Sequence, residues 1–388
     1  MNFPIEKFKN IATPFYYYDV ELFERTAKTM KSEADKYGYV LHYAVKANTN
    51  EKLLRILSSM GFGADCVSGE EVKHAIDCGF PKSGIVFAGV GKRDDEINFC
   101  IDADIAVFNC ESEQEIEVIN ELAQAKGKRV NIALRINPEI DAHTHEHLTT
   151  GTIEDKFGIN LWQLESVVKK VMQMDFVEIT GLHFHIGSQI TEMSPFILLC
   201  LKVNELQDML EKTGLTVKHI NIGGGLGVDY EDPDQNPIPD FAGHFATINK
   251  YIKLRSGQVL HKEPGRVIVA QCGTLISKCL YTKELQKKNF AILDAGFTDL
   301  IRPALYGAYH KIENLTFAYS GIQEVRQLKY DVVGPVCESS DTFGKDVLLP
   351  RTRRGDVFAI RTAGAYGEVM ASRYNLRTLP KAYYSTEL

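Results

Sequence analysis

The chain has 388 residues, 44% of them apolar and 24% charged, an ordinary composition for a globular protein with material for more than one average domain. Its net charge is −7 with no long basic run, which argues against a nucleic-acid partner. The opening MNFPIEKFKN mixes charge into its first ten residues and no apolar run approaches a membrane span, so neither a signal peptide nor a membrane anchor is expected.

From residue 38 to 266 short apolar stretches alternate with amphipathic ones. Strands are predicted at Tyr39–Val45, Gly63–Cys66, Gly84–Ala88, Ile105–Asn109, Arg129–Ile136, Glu178–Ile186, Val217–Ile222 and Gln258–His261. Helices are predicted between them, among others at Glu51–Met60, Gly69–Cys78, Ser112–Ala125 and Pro195–Lys212. Eight strands alternating with helices predict an α/β chain with a parallel sheet, and eight is the number that closes a (β/α)8 TIM barrel. Periodicity leaves an open doubly wound sheet as the alternative. The Asp- and Pro-rich stretch Glu231–Asp240 reads as a surface loop. After about residue 270 the segments Asn289–Leu293, Thr316–Tyr319, Leu328–Val333 and Val357–Ile360 are short and β-like, which predicts a C-terminal β-sheet domain. Eight cysteines, at 66, 78, 100, 110, 200, 272, 279 and 337, form no Cys-x-x-Cys pair. As free thiols they suit a reducing cytoplasm.

Barrel active sites gather where the strands end, and reactive residues recur at those positions here. Lys46 follows the first strand in YAVKAN, and Asp65 ends the second. The sixth ends in His183, His185 and Ser188 in GLHFHIGSQ, the seventh in Gly223–Gly225, and the eighth in EPGR (Glu263, Pro264, Gly265, Arg266). Taken alone, a lysine after a strand is an ordinary surface residue whose stem covers apolar neighbours. In a dry barrel mouth its pKa would fall and it would become a nucleophile toward a carbonyl. Glycines between a strand and a helix let backbone N–H groups approach a phosphate. Lysine and glycines together point to a phosphorylated aldehyde cofactor. His185 can stack on a flat ring, Ser188 can reach a phosphate, and Glu263 can keep a pyridine nitrogen protonated. Arg266 and Arg302 can fork onto carboxylates. Cys337, in GPVCESSD, reads as a presented thiol able to protonate a carbanion. Tyr366, between glycines in AGAYG, is a candidate hydroxyl donor. His143, His145 and His147 alternate in DAHTHEH, but no second ligand cluster accompanies them, and no metal is expected.

These motifs resemble, over nearly the full length and in family order, the group IV, fold type III pyridoxal-phosphate-dependent decarboxylases. Besides those already quoted they include GADCVSGEE, HTHxxxxTG with KFGI, and DAGFTDLIRPALYGAYH. Within that family the branch acting on meso-2,6-diaminopimelate is the most similar. The resemblance implies pyridoxal 5'-phosphate on Lys46, with Asp65 near the lysine side of the site and His185 on the ring. It implies Ser188, Gly225, Glu263, Pro264, Gly265, Arg266 and Tyr366 around phosphate and pyridine nitrogen. Arg266, Arg302, Tyr306 and Tyr366 would meet the substrate. Cys337 and Glu338 would act in the partner subunit's site, making a homodimer the active unit. The barrel would span residues 30–270. Residues 1–29 and 271–388 would form a discontinuous β-domain of Greek-key, sandwich-like type. The implied reaction gives L-lysine and CO2. A decarboxylase for ornithine, lysine, arginine or carboxynorspermidine, a racemase, and a regulatory pseudoenzyme on the same fold are the competing readings. One position departs from the pattern: CESSD carries Ser340 where the family has glycine. Were a positive φ required there, serine would cost about 1 kcal/mol.

Overall fold

The computed structural model describes residues 3–140, 156–318 and 326–388. The strands in chain order are β1 (Phe15–Tyr18), β2 (Val40–Ala44), β3 (Gly63–Cys66), β4 (Ile85–Phe87), β5 (Val107–Cys110), β6 (Val130–Arg135), β7 (Val177–His183), β8 (His219–Asn221) and β9 (Val259–Lys262). They continue with β10 (Gly273–Glu284), β11 (Asn289–Leu293), β12 (Ile312–Asn314), β13 (Gln327–Val333), β14 (Thr342–Pro350), β15 (Val357–Ile360) and β16 (Lys381–Tyr384).

The strands β2 to β9 close a barrel, parallel throughout. All eight expected strands are present with ends moved by a few residues, and the open-sheet alternative falls. Two of the helices between them begin at a Ser cap. Ser68 accepts the Glu71 N–H (3.1 Å) while the Glu71 carboxylate takes the Val67 N–H (2.8 Å). Ser112 and Glu115 repeat the arrangement before Glu113–Ala125. This is the reciprocal Ser-x-x-Glu capping that fixes where a strand end turns into a helix. The helix Glu51–Ser59 then buries Leu53, Leu54 and Leu57 on one face.

The chain divides into two compact units. One comprises Ala27–Gly227 and Asp240–Gly265 and holds the barrel. The other comprises Met1–Thr26, Val228–Pro239 and Arg266–Leu388. Its eight-stranded mixed sheet runs β12-β15-β10-β11-β13-β14, with β1 antiparallel to β10 and parallel to β16. Phe3, Phe8, Phe15 and Tyr17 from the N-terminus pack with Ile276 and Val357 into its core, which is why a β-domain near the C-terminus needs the first residues of the chain.

Two features of this unit differ from expectation. The expected strand at Thr316–Tyr319 is helical over Leu315–Ala318, because the Asn314 side chain accepts the Phe317 N–H (3.2 Å) and turns the backbone. The strand proper lies just before it, at β12. The longest strand, β10, was not foreseen. Its first half is buried on both faces and its second half exposed, so it never shows the alternation that marks a half-buried strand.

Three histidines, His42, His244 and His310, are at most 3% exposed. Burial lowers the pKa of each; Lys262 adds to the effect at His244 and Arg302 at His310, which falls to about 3. Above the unfolded value of about 6.5 neither state is protonated there, and the groups cost nothing. As pH falls below it, only the unfolded chain takes up these protons, so stability is lost at up to about 1.4 kcal/mol per pH unit per histidine. The urea midpoint is expected to drop between pH 7 and 5; a flat or rising midpoint would contradict this.

Candidate active site

In the barrel unit the residues predicted at five strand ends converge. Strand β2 runs into a single 3-10 turn, Val45–Ala47, that carries Lys46. The Lys46 Nζ lies 3.4 Å from Asp65 Oδ2. Asp65 is fully buried, and its Oδ1 has no hydrogen-bond partner among the described residues. The EPGR turn is laid against the Lys46 turn. The Ala44 N–H donates to the Pro264 carbonyl (3.0 Å), and a Cβ on Gly265 would sit 3.0 Å from that of Ala44 and 3.1 Å from that of Ala47.

Glu263, one residue past β9, points into the barrel. Its Oε2 pairs with His183 Nε2 (3.0 Å), and its Oε1 accepts from Asn221 (2.7 Å) and, more weakly, Asn109 (3.5 Å). Burial opposes ionisation of Glu263, but His183 and then Lys46 outweigh it and hold the carboxyl well below its usual range. Burial and then the Glu263 charge push Asp65 the other way, against the pull of Lys46. Two buried carboxyls are thus separated into one held ionised and one that takes up a proton easily, the pattern expected of acid–base partners. Burial, then Lys46 and Arg135, keep the His185 imidazole neutral, as a ring that stacks on another ring should be.

The loops after β7 and β8 are laced together. Ile190 N–H donates to Gly225 O and Gly227 N–H to Ile190 O, each at 2.9 Å. Gly225 has φ +105°, and a Cβ on it would stand 3.0 Å from the Gly187 carbonyl. Ser188 lies in the same turn. These loops leave backbone where side chains would otherwise be, the arrangement that suits a phosphate.

The remaining predicted residues lie in the β-sheet unit. Arg266 donates to Tyr230 Oη (2.6 Å), and its guanidinium lies 4.9 Å from the Tyr366 ring. Arg302 lies 4.9 Å over the Tyr230 ring and donates to His310 Nε2 (2.9 Å), and its buried Nε has no hydrogen-bond partner among the described residues. Tyr306 closes the same short helix, Arg302–Tyr306, and lies within electrostatic reach of Arg266. Tyr366 itself has φ +56°, a left-handed conformation that costs a bulky residue about 1–2 kcal/mol and is typical of functional positions. Tyr230 was missed: it lies just before the Asp- and Pro-rich stretch Glu231–Asp240. That stretch is the surface loop expected, and it is pinned by Asp234 to Arg361 (2.7 Å) and Asn236 O to Gln271 (2.7 Å).

Cys337 is exposed, whereas the other seven cysteines are buried. Glu338 beside it is exposed and accepts from Tyr374 Oη (2.7 Å). Their loop is held from below by Asp341, whose carboxylate accepts the Val336 and Phe297 N–H groups, each at 2.7 Å. Ser340 is not among the residues with positive φ, so the strain anticipated at CESSD is absent. His143, His145 and His147 lie outside the described residues; among those described, no cluster of metal-ligating side chains occurs.

Comparison with known proteins agrees with this geometry. Residues 20–270 match the family described as pyridoxal-dependent decarboxylase, pyridoxal binding domain. A diaminopimelate decarboxylase of Bacteroides thetaiotaomicron is 56% identical over 387 residues, covering 100% of this chain and 99% of that protein. The chain belongs to the diaminopimelate decarboxylase family of pyridoxal-dependent decarboxylases. The crystal structure of diaminopimelate decarboxylase from Helicobacter pylori complexed with L-lysine superposes with a TM-score of 0.90 at 37% identity, covering 98% of this chain and 93% of that one. A lysine/ornithine decarboxylase from Vibrio vulnificus, at 21% identity and a TM-score of 0.84, shares the fold. No helix among the described residues is long and apolar enough to cross a membrane.

The residues present fit the family's cofactor, pyridoxal 5'-phosphate. An amine stands beside a buried carboxyl with an unused oxygen, an ionised carboxylate points into the barrel, and the glycine loops are open to a phosphate. The sequence had indicated Glu263 but not what holds it. Nothing in the sequence singles out Asn109 and Asn221, whose role depends on their meeting Glu263 in the folded barrel.

Proposed function

We propose that this chain decarboxylates meso-2,6-diaminopimelate to L-lysine and CO2 in lysine biosynthesis. What supports the reading above all is the 56% identity across the whole length of a diaminopimelate decarboxylase, joined to strand-end residues whose chemistry fits the cofactor. Bound pyridoxal phosphate supplies an electron sink for the pair left behind when CO2 departs.

The chain's own residues then divide the work. Lys46 would hold the cofactor through its side-chain amine. Glu263, kept ionised by His183 and Asn221, holds the proton on the pyridine nitrogen. Asp65 orients the Lys46 amine. His185 covers one face of the ring. Ser188, Gly225, Gly265, Arg266 and Tyr366 take the phosphate, with Pro264 fixing the turn.

Arg302 and Arg266 take carboxylate oxygens of a substrate that has two such groups, with Tyr306 and Tyr366 adding hydroxyls. Glu338 takes the distal ammonium. Ornithine and lysine have no distal carboxylate and would leave buried guanidinium charge uncompensated. This is the reason for preferring diaminopimelate over the simple diamino acids. Cys337 delivers a proton to the α-carbon.

Cys337 and Glu338 are exposed on this chain, and the reading assigns them to the second subunit of a homodimer. Mixing two inactive variants, Lys46→Ala and Cys337→Ala, tests this. In a two-fold dimer with shared sites, half the mixed dimers' sites are wild type, so an equal mixture recovers about a quarter of wild-type activity. No recovery after confirmed subunit exchange would place both residues in the same chain's site. The reaction is tested by product analysis: lysine and CO2 in equal amounts from meso-diaminopimelate, with racemised substrate and no CO2 as the result that sinks it.

A further inference from the structure

The half of the barrel opposite the strand ends that carry Lys46 is not packed. A TIM-type barrel normally fills its interior with layers of branched aliphatic side chains. Here a cavity of about 560 Å³ remains, lined by Phe62, Val86, Val107 and Leu182 and by small residues such as Ala133 and Gly181. Its volume is that of a small-molecule pocket.

Three histidines line it and are joined in a row. His42 Nδ1 meets the Gly84 carbonyl at 3.0 Å, His42 Nε2 meets His261 Nδ1 at 2.9 Å, and His261 Nε2 meets His219 Nδ1 at 3.0 Å. Gly63 makes the first contact possible, since a Cβ there would stand 2.5 Å from the His42 ring and 2.3 Å from the Gly84 carbonyl. A carbonyl only accepts, so His42 Nδ1 must carry the hydrogen. Burial keeps all three rings neutral at pH 7, and a neutral imidazole has one donor and one acceptor. The direction of every bond in the row is therefore fixed. His42 Nε2 accepts from His261 Nδ1–H, and His261 Nε2 accepts from His219 Nδ1–H. The row ends in one bare lone pair, on His219 Nε2, which is bonded to nothing among the described residues.

We propose that this cavity is a second binding site, for a small neutral molecule with an aromatic or alicyclic body and one hydroxyl or N–H group donated to His219 Nε2. Neutrality follows from the lining. It contains no lysine or arginine, and its one carboxylate, Asp104, is exposed and already paired with Lys128 at 2.6 Å. An anion would meet no cation there, and a cation no free acid. The apolar walls favour a ring, and the imidazole selects a donor.

The cavity's inner end is Asn109 and Asn221, the two amides that donate to Glu263. The strand period explains the arrangement. His219 and Asn221 lie two residues apart on β8, and His261 and Glu263 two apart where β9 ends, so each histidine sits one inward layer below a residue of the candidate active site. An occupant would press on the side chains that orient the Glu263 carboxylate, which makes the site suited to regulation.

The test is fluorine NMR on the cofactor-loaded enzyme with 4-fluorophenol, with 4-fluoroanisole as the matched probe that lacks the donor. Saturable binding of 4-fluorophenol is expected, at least ~10-fold weaker for 4-fluoroanisole and at least ~10-fold weaker for 4-fluorophenol on the variant His219→Leu. Saturating L-lysine should not displace the probe. Absence of saturable binding, equal affinity for the two probes, unchanged affinity in His219→Leu, or displacement by L-lysine would each overturn the proposal. Should His219→Leu fail to fold, Val107→Phe fills the cavity from another strand. It is expected to abolish binding, and retained binding would be equally decisive.

Discussion

Replacing Lys46 by alanine is expected to remove the visible absorbance of protein-bound pyridoxal phosphate and to lower turnover by at least about 10³-fold, the scale seen when a member of a covalent catalytic unit is lost. Both effects have one cause. Lys46 stands on a one-turn helix at the end of β2, 3.4 Å from a fully buried carboxyl. The turn is fixed by the Pro264 carbonyl and by the close approach of Gly265. Removing the amine leaves a formed pocket that can hold the cofactor only by its phosphate and ring. The protein should therefore still bind pyridoxal phosphate, more weakly and reversibly. Added primary amine should restore a little activity. A variant that keeps the absorbance band and wild-type turnover would remove Lys46 from the mechanism.

Replacing Cys337 by alanine is expected to separate the two halves of the reaction. Cofactor binding and absorbance should be unchanged, because Cys337 lies on an exposed loop of the β-sheet unit. Turnover should fall by about 10²–10⁴-fold, the usual worth of a positioned general acid. Folding should be unaffected, since the loop is held by Asp341 and its two backbone donors rather than by the thiol. Stopped-flow absorbance and single-turnover CO2 release together decide this. CO2 released normally in the first turnover, with formation of the lysine product delayed, is the expected pattern. Product formation at the wild-type rate would show that another group donates the proton.

The parts of this molecule legible in its sequence are those governed by local periodicity. Eight barrel strands and the helices between them follow from alternating apolar and amphipathic stretches, and their number alone argues for closure. The residues at the strand ends were legible for the same reason, since position along a strand states which mouth of the barrel a side chain faces. What was not legible depends on contacts far apart in the chain. β10 has no periodic signature because its two halves meet different environments. Tyr230 could not be singled out, because what marks it is Arg266 and Arg302 arriving from elsewhere in the chain. The support of Glu263 by His183 and Asn221 is likewise a meeting of β7, β8 and β9. The strain anticipated at Ser340 was an inference from a family pattern, and the backbone there does not need a positive φ.

The central claim is that this pocket handles a substrate with a second carboxylate. Its most direct test is CO2 release by the purified, cofactor-loaded enzyme from meso-diaminopimelate, L-ornithine and L-lysine under identical conditions. Buried guanidinium groups left unpaired by the shorter substrates should make kcat/KM for meso-diaminopimelate exceed the others by about 10⁴-fold or more. A preference for ornithine or lysine, or comparable rates on all three, would contradict the account.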